Sequence, residues 1–520
     1  MAAKPPAVMM AAPKLRLAAD AWMQPARRQQ SLLSSTTLEL LNTKGDLSDI
    51  GWDGHQLDAL WRYNQHYFDD LNAFDSAKRT VWQRPLLQAW VDQNPPGEGV
   101  GWAPYPTSLR IVNWIKWALA GNHLDRTLLD SLATQARWLS QRLEWHLLGN
   151  HLFANAKALI FAGLFFDGEE ANTWRNKGFE ILIRETGEQI LADGGQFELS
   201  PMYHAIAFED VLDLINLAQH YTPDLLPAET ELVSTWRALA AKMGHWLSAM
   251  SHPDGAISFF NDSAFGIAPS NEELFAYARR LLINEPAPLP QVTRLRESGY
   301  ARLSQPNAVL IADVGAVGPD YLPGHAHADT LSFEASLFGQ RLFVNSGTSL
   351  YGTGPERQRQ RGTAAHNTVV VGGVNSSDVW RGFRVGARAS PFGVRWHSDG
   401  DALELEGSHD GYRGLAGAPT HTRKWRLAPR ALCISDHVSN GAHIAEAHFH
   451  LHPDVLISLY SPNSGKFVLK NGERIAWRSE GGPARLEHAT WHPEFGKSID
   501  NTCLVVPLHQ GRSALEASWA

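Results

Sequence analysis

The sequence predicts a multidomain α+β chain, with a run of packed helix hairpins followed by an antiparallel β-sandwich. Three observations carry this expectation. Hydrophobic spacing follows the helical period from about residue 75 to 285 and changes to a period of two after Tyr300. A stretch at 286–298 containing Pro286, Pro288 and Pro290 separates the two regimes. The chain has 520 residues, 44% hydrophobic and 19% charged, which suffices for large cores and rules out a mainly disordered chain. The expected divisions are a mobile tail at 1–40, a helical domain at 41–290 and a β domain at 291–520.

The first thirty residues are rich in small, proline and basic residues. Lys14, Arg16 and Asp20 interrupt any apolar core a secretion signal would need, so a mobile tail and a cytoplasmic location are expected. The stretch 147–166 is apolar on nearly every side, the pattern of a helix buried all round. Further helices are expected at about 104–120, 125–146, 170–192, 200–219, 229–250 and 272–284. Short turns such as Gly121-Asn122 and Asp193-Gly194-Gly195 separate some of them, so the array is a bundle, solenoid or toroid. Beyond Tyr300, Leu331, Phe333, Ala335 and Leu337 alternate with polar residues as in a half-buried strand. Strands are also expected at 308–316, 341–344, 368–371, 403–406, 424–427, 431–438, 445–451, 466–469 and 504–508. Asn-Gly pairs at 440–441 and 471–472 mark hairpin turns.

A formal net charge of -8 argues against a nucleic-acid binder. Cys433 and Cys503 are the only cysteines, which excludes a disulfide framework. No apolar run approaches the roughly 18 residues needed to span a membrane. The chain is unusually rich in Trp (19) and His (23), and that richness is the composition feature to explain.

The densest chemical signal is Gly324-His325-Ala326-His327-Ala328-Asp329. Two imidazoles two residues apart can bind one metal, or divide into ligand and general base; they can equally be hydrogen-bonded structural residues. His366, entering a strand, and Asn345, ending one, are structural unless they meet His327 in space. Asn150 reads as a helix N-cap, and His151 as a histidine in apolar surroundings. In Asp193–His204 the glycines make a turn, Ser200-Pro201 opens a helix, and Tyr203 and His204 fall in its first turn. Tyr203 can pack or serve as an acid or base. Arg357, Arg359, Arg361, Arg381, Arg384 and Arg388 are opposed only by Glu356 and Asp378, a basic stretch that can recruit an anion. Trp102 and Tyr105 are among the aromatics available for stacking on sugars, although most tryptophans are core.

Taken together, the segments NHLFANAKALIFAGLFF (150–166), DGGQFELSPMYH (193–204), GHAHADTLSFEASLFGQRLFVNSGT (324–348) and RGTAAHNTVVVGG (361–373) resemble the heparinase II/III-like polysaccharide lyases in order and spacing. The upstream WRYNQHYFDDL and GWAPYPTSLRIVNW look like the shorter members associated with capsule or exopolysaccharide clusters. The resemblance implies an N-terminal incomplete (α/α) toroid and a C-terminal antiparallel β-sandwich. It implies β-elimination at a uronic acid of an acidic polysaccharide, in a cleft between the domains. Asn150 would neutralise the carboxylate with His151, while Tyr203 and His325 would exchange protons at C5 and O4. Substrate contacts would come from Arg361, Glu198, His204, Trp102 and Tyr105. A structural divalent cation, often zinc, would fall on His327, Asn345 and His366, with no organic cofactor. The family pattern has Asp where Asn345 stands. An amide supplies an oxygen but no charge, so the expectation is a weak metal, hydrogen bonds in its place, or none.

Three rival classes remain open at this level. A glycoside hydrolase needs two carboxylates about 5–10 Å apart, for which Glu198, Asp193 and Glu209 are candidates. A metal-dependent hydrolase would use the two spaced histidines around an open coordination position. The third is a non-catalytic polysaccharide-binding protein.

Overall fold

The computed structural model describes residues 9–440 and 443–520. Two compact units emerge: one runs to Ile190 and takes in Ala205–Lys242 and Gly266–Glu285; the other comprises Leu191–His204, Met243–Phe265 and Pro286–Ala520. The boundary is therefore not a single cut near 290. Two excursions of the helical half, each rich in turns, join the β unit.

The longer helices are α1 (Thr80–Gln93), α2 (Pro104–Leu119), α3 (Arg126–Ser140), α4 (Gly149–Phe165), α5 (Glu169–Gln189), α6 (Pro201–His220), α7 (Pro227–Ala249) and α8 (Asn271–Arg280). In α4 every residue from Leu152 to Phe165 is buried, as its all-round apolar pattern predicts. The backbones of α4 and α5 nearly touch. A Cβ on Gly163 would lie 2.5 Å from the Arg175 nitrogen, and one on Gly178 would lie 2.8 Å from the Ala156 oxygen. Lys157, the charge inside α4, is held by Asp210 at 2.7 Å and Asp213 at 2.6 Å, and Lys116 of α2 reaches Asp213 at 3.0 Å. Buried charges persist where they are paired in this way.

Asn150 is not the N-cap of α4. Leu148 and Gly149 take positive φ, and the helix opens at Gly149, so Asn150 falls in the first turn. Residues 9–40 are not a free tail either. Lys14–Leu15 pairs with Phe166–Asp167, the Ala12 N–H donates to Asp130 at 2.6 Å, and Arg28 meets Glu209 at 2.5 Å. These partners lie more than a hundred residues away, which is why local composition read the segment as uncommitted.

The second unit is built on antiparallel strands. A five-stranded sheet takes β1 (Val292–Leu295), β2 (Tyr300–Gln305), β3 (Ala308–Asp313), β4 (Phe333–Leu337) and β5 (Gln340–Phe343) in order. Besides a short pairing of Val379–Trp380 with Arg384–Val385, two larger sheets take β6 (Val369–Val371), β7 (Pro391–Asp399), β8 (Ala402–His409), β9 (His421–Ala428), β10 (Ala431–Val438) and β11 (Ala445–His450). They continue with β12 (Leu456–Ser461), β13 (Ser464–Val468), β14 (Arg474–Glu480), β15 (Arg485–Trp491), β16 (Ile499–Pro507) and β17 (Arg512–Ser518). An eight-stranded sheet runs β7-β8-β9-β10-β17-β14-β13-β12, and a four-stranded sheet runs β6-β11-β16-β15. Inward residues from all three, including Phe333, Phe343, Trp425, Phe449, Phe467, Trp477 and Leu504, make one core. The Asn471-Gly472 turn joins β13 to β14 as expected. Gly441 lies outside the described residues, and β10 and β11, on either side of it, belong to different sheets. Among the described residues no helix is long and apolar enough to cross a membrane.

Candidate active site

A cluster of ionisable groups lies inside the second unit. Asp262 is its centre. His325 Nδ1 stands 2.8 Å from Asp262 Oδ2, and His327 Nε2 2.9 Å from Oδ1. Arg357 donates to both oxygens, and the Thr348 hydroxyl donates to Oδ1 at 3.2 Å. The His325 ring packs against Tyr203, with centroids 4.0 Å apart, and the Tyr203 hydroxyl is 2.8 Å from that of Tyr351. Glu198 Oε2 lies 3.4 Å from His325 Nε2. Phe383 sets its edge against both His325 and Tyr351.

Local backbone conformation aims these groups. Ser200 caps α6, its hydroxyl accepting the Tyr203 N–H at 3.2 Å, so Tyr203 sits in the first turn as the sequence predicts. Leu199 and Asn261 both take positive φ, uncommon for residues other than glycine. The Asn261 amide secures them by donating to the Leu199 carbonyl at 2.9 Å and accepting the His327 N–H at 3.1 Å.

The electrostatics follow from burial and pairing. Burial alone would raise the Asp262 carboxyl, but Arg357 and the hydrogen bonds from His325 and His327 outweigh it and hold it well below the usual carboxylate range. An ionised Asp262 accepts the His325 Nδ1–H, which leaves Nε2 as the ring nitrogen turned toward Glu198. Burial, reinforced by the neighbouring Tyr351, pushes the Tyr203 phenol well above its ordinary value, so it is a neutral donor.

Of His327, Asn345 and His366, the two histidines meet in this unit. His327 Nδ1 and His366 Nε2 face each other at 3.2 Å. With Asp262 bound to the other ring nitrogen of His327, this is the arrangement of a ligand oriented by a carboxylate. Two imidazoles at that spacing fit a tetrahedral cation. Asn345 fits less well. Its Oδ1 already accepts the Asn367 N–H, its amide nitrogen donates to the Phe259 carbonyl, and the donor set holds no anion. Burial lowers His327 to about 4 and His366 well below its ordinary value, so both are neutral and ligand-ready.

Asn150 and His151 lie in the first unit and are the two half-exposed residues of α4. His151 Nδ1 is 3.1 Å from Glu144, which also accepts from Asn155 at 3.0 Å, and its ring packs on Tyr105 at 4.5 Å. Glu144 thereby fixes the ring through Nδ1.

Four expected substrate contacts are instead interior, among them Glu198, which is 2% exposed beside His325. Trp102 is 2% exposed, packed against Trp90 and Trp138, with its indole N–H given to the Asn94 carbonyl. His204 stacks on Trp246 and accepts the Gln196 N–H. Arg361 is fully buried, with its guanidinium spent on the carbonyls of Ala326, Arg381, Gly382 and Arg384. A side chain buried this deeply has no surface to offer a sugar. The exposed cations beside the cluster are Arg381 and Arg384, which flank Phe383 on the segment that Arg357 and Arg361 hold. Asp262, Arg357 as its partner, Tyr351 and Phe383 went unread as site residues, because none stands in a spaced motif.

A family model described as Heparinase II/III N-terminus matches residues 76–278, and one described as Heparinase II/III-like, C-terminal matches residues 287–520. A heparin-sulfate lyase of Bacteroides stercoris is 28% identical over 249 residues, 44% of this chain and 36% of that protein. The match thus spans about a third of that relative's length. A crystal structure of heparinase III superposes with a TM-score of 0.69 at 18% identity, covering 88% of this chain and 76% of that one. The heparan sulfate lyase of Pedobacter heparinus gives 0.60 at 19% identity, covering 92% and 80%. At such identities the likeness speaks for fold: an (α/α) toroid followed by an antiparallel β-sandwich.

Proposed function

The chain belongs to the heparinase II/III-like family, and on that premise we propose that it is a polysaccharide lyase cleaving an acidic, uronate-containing polysaccharide by β-elimination. The observation that carries the reading is His325 held between Asp262 and Tyr203. Elimination needs a base for the C5 proton, an acid for the departing O4 and a counterweight for charge on the carboxylate. His325, oriented by Asp262, takes the C5 proton on Nε2. The C5–H electrons form the C4=C5 double bond as the C4–O bond breaks, and O4 leaves with the bond pair and the Tyr203 proton. Glu198 stands beside the imidazolium so formed. Asn150 and His151 are assigned to the uronate carboxylate, and Arg381 and Arg384 to further anionic groups on the polymer. His327, Asn345 and His366 are retained as a candidate structural divalent-cation set with no part in proton transfer.

Hydrolysis fits these groups less well. Arg357, His325 and His327 occupy both oxygens of Asp262, which leaves Glu198 without a second uncommitted carboxylate near His325 among the described residues. The test is incubation with a panel of uronate polymers, following the ultraviolet absorbance of the unsaturated product. Absorbance growing with chain scission is expected. Scission that yields only saturated reducing ends would overturn elimination.

A further inference from the structure

The outer face of the four-stranded sheet carries a second histidine pair that none of the motifs above includes. On β11, Ala447 and Phe449 point into the sandwich core, as does Leu451 just beyond its end, so His448 and His450 point to the other face. Cys503 on β16 pairs directly with His450, and Glu487 on β15 pairs directly with Cys503, which sets them on that same face. Cys503 Sγ lies 3.8 Å from His448 Nδ1 and 3.8 Å from His450 Nε2, and the three atoms all fall within 4.8 Å of one another. Bonds of about 2.3 Å to sulfur and 2.0–2.1 Å to nitrogen at a tetrahedral angle require S···N separations of about 3.6 Å. Both S···N distances stand close to that value.

The chemistry of the three groups agrees with the spacing. Burial lowers His448 and brings His450 to about 3, so both imidazoles are neutral, the form that ligates. Burial raises the Cys503 thiol to about 12. It therefore stays protonated until a cation displaces the proton. A structural histidine normally spends both ring nitrogens on hydrogen bonds. His450 Nε2, the nitrogen beside Cys503, donates to the Ala364 carbonyl at 2.8 Å, and the buried Nδ1 has no partner, so it is the ring position open to the proton that Nε2 gives up on ligation.

We propose that His448, His450 and Cys503 form a site for a thiophilic divalent cation of the zinc class on this sheet face, separate from His327, Asn345 and His366. Binding breaks the S–H bond, with the proton leaving to solvent and the sulfur lone pair passing to the metal. It also moves the His450 ring proton from Nε2 to Nδ1, which frees the Nε2 lone pair for the metal and releases the hydrogen bond to Ala364, so the Ala364 carbonyl or a water stands at the fourth position. Glu487 lies at the rim, where Arg485 holds it at 2.8 Å, and adds negative charge near the metal. Ala364 belongs to the turn just before His366, so occupancy bears on that turn and not on the reacting groups.

The experiment is a cobalt(II) titration of the metal-free full chain, read by the near-ultraviolet thiolate-to-cobalt charge-transfer band that only a cysteine-ligated site gives. One equivalent should produce the band. Cys503→Ser and His448→Gln should lose it, while Cys433→Ser and His366→Gln should keep it. Zinc should abolish the band in the wild type and raise its melting temperature, and circular dichroism of each variant establishes that it is folded. If Cys503→Ser does not fold, the folded His448→Gln decides. No band in the wild type, or a band that survives His448→Gln, overturns the proposal.

Discussion

Arg357, His325 and His327 converge on one carboxylate, so Asp262 sets both the local charge balance and the tautomer of His325. Asp262→Asn keeps the shape and removes the charge. It leaves Arg357 buried and unpaired, a loss of about 3–5 kcal/mol measurable by urea unfolding. Adding Arg357→Met should restore most of that stability and none of the turnover, because His325 still lacks its anionic partner. Recovery of both would show that Asp262 acts only as a structural counter-ion. Tyr203→Phe removes one hydroxyl and is expected to lower turnover by about 10²–10⁴-fold, with polymer binding retained in a direct binding assay. Unchanged turnover would remove Tyr203 from the acid role. Tyr203, His325, His327 and His366 were legible because each stands in a short spaced motif. Asp262 was not, because it meets His325 only through a fold that closes 63 residues of chain. Arg361 was misread as a substrate contact because charge density alone does not tell an exposed guanidinium from one spent on buried carbonyls.

At the scale of elements, the pair α4 and α5 depends on two glycines more than on side-chain volume. Gly163→Ala drives a methyl against the backbone of Arg175 and Ala171, which cannot swing aside as a flexible side chain would. A loss of about 1–3 kcal/mol is expected from such overpacking, read as a lower urea midpoint with an unchanged slope. An unshifted midpoint would mean that the two helices separate freely. Most helices and strands were readable, since periodicity over ten or more residues survives whatever they pack against. Observed α2 and β10 keep the expected ranges to within a residue. Residues 9–40 were not readable in the same way. Their order comes from single bonds to distant helices, and a bond such as Ala12 to Asp130 leaves no periodic trace.

For the molecule as a whole, the histidine excess becomes a statement about acid stability. Burial lowers His66, His204 and His450 to about 3 and His327 to about 4. In the unfolded chain the same groups take up protons near 6.5. As pH falls from 6.5 toward 4 the unfolded state therefore binds more protons, and each group removes about 1.4 kcal/mol of stability per pH unit within that window. Buried carboxyls act in the opposite sense. Burial raises Glu334 to about 7 and Asp329 to about 6, so the folded state holds their protons through much of the same range. Burial likewise raises Asp210 and Asp313 and lowers further histidines, His252, His366, His409 and His452 among them, so the histidines outnumber the carboxyls and leave a net loss of stability in mild acid, well above the pH at which surface carboxylates titrate. Urea midpoints of metal-free protein should accordingly fall steadily between pH 7 and pH 5. His204→Gln, which cannot titrate, should lower the pH 7 midpoint yet flatten the slope against pH. A midpoint that stays level or rises toward pH 5 would mean that these imidazoles reach water and protonate in the folded chain, and their burial would then have no part in setting its acid limit.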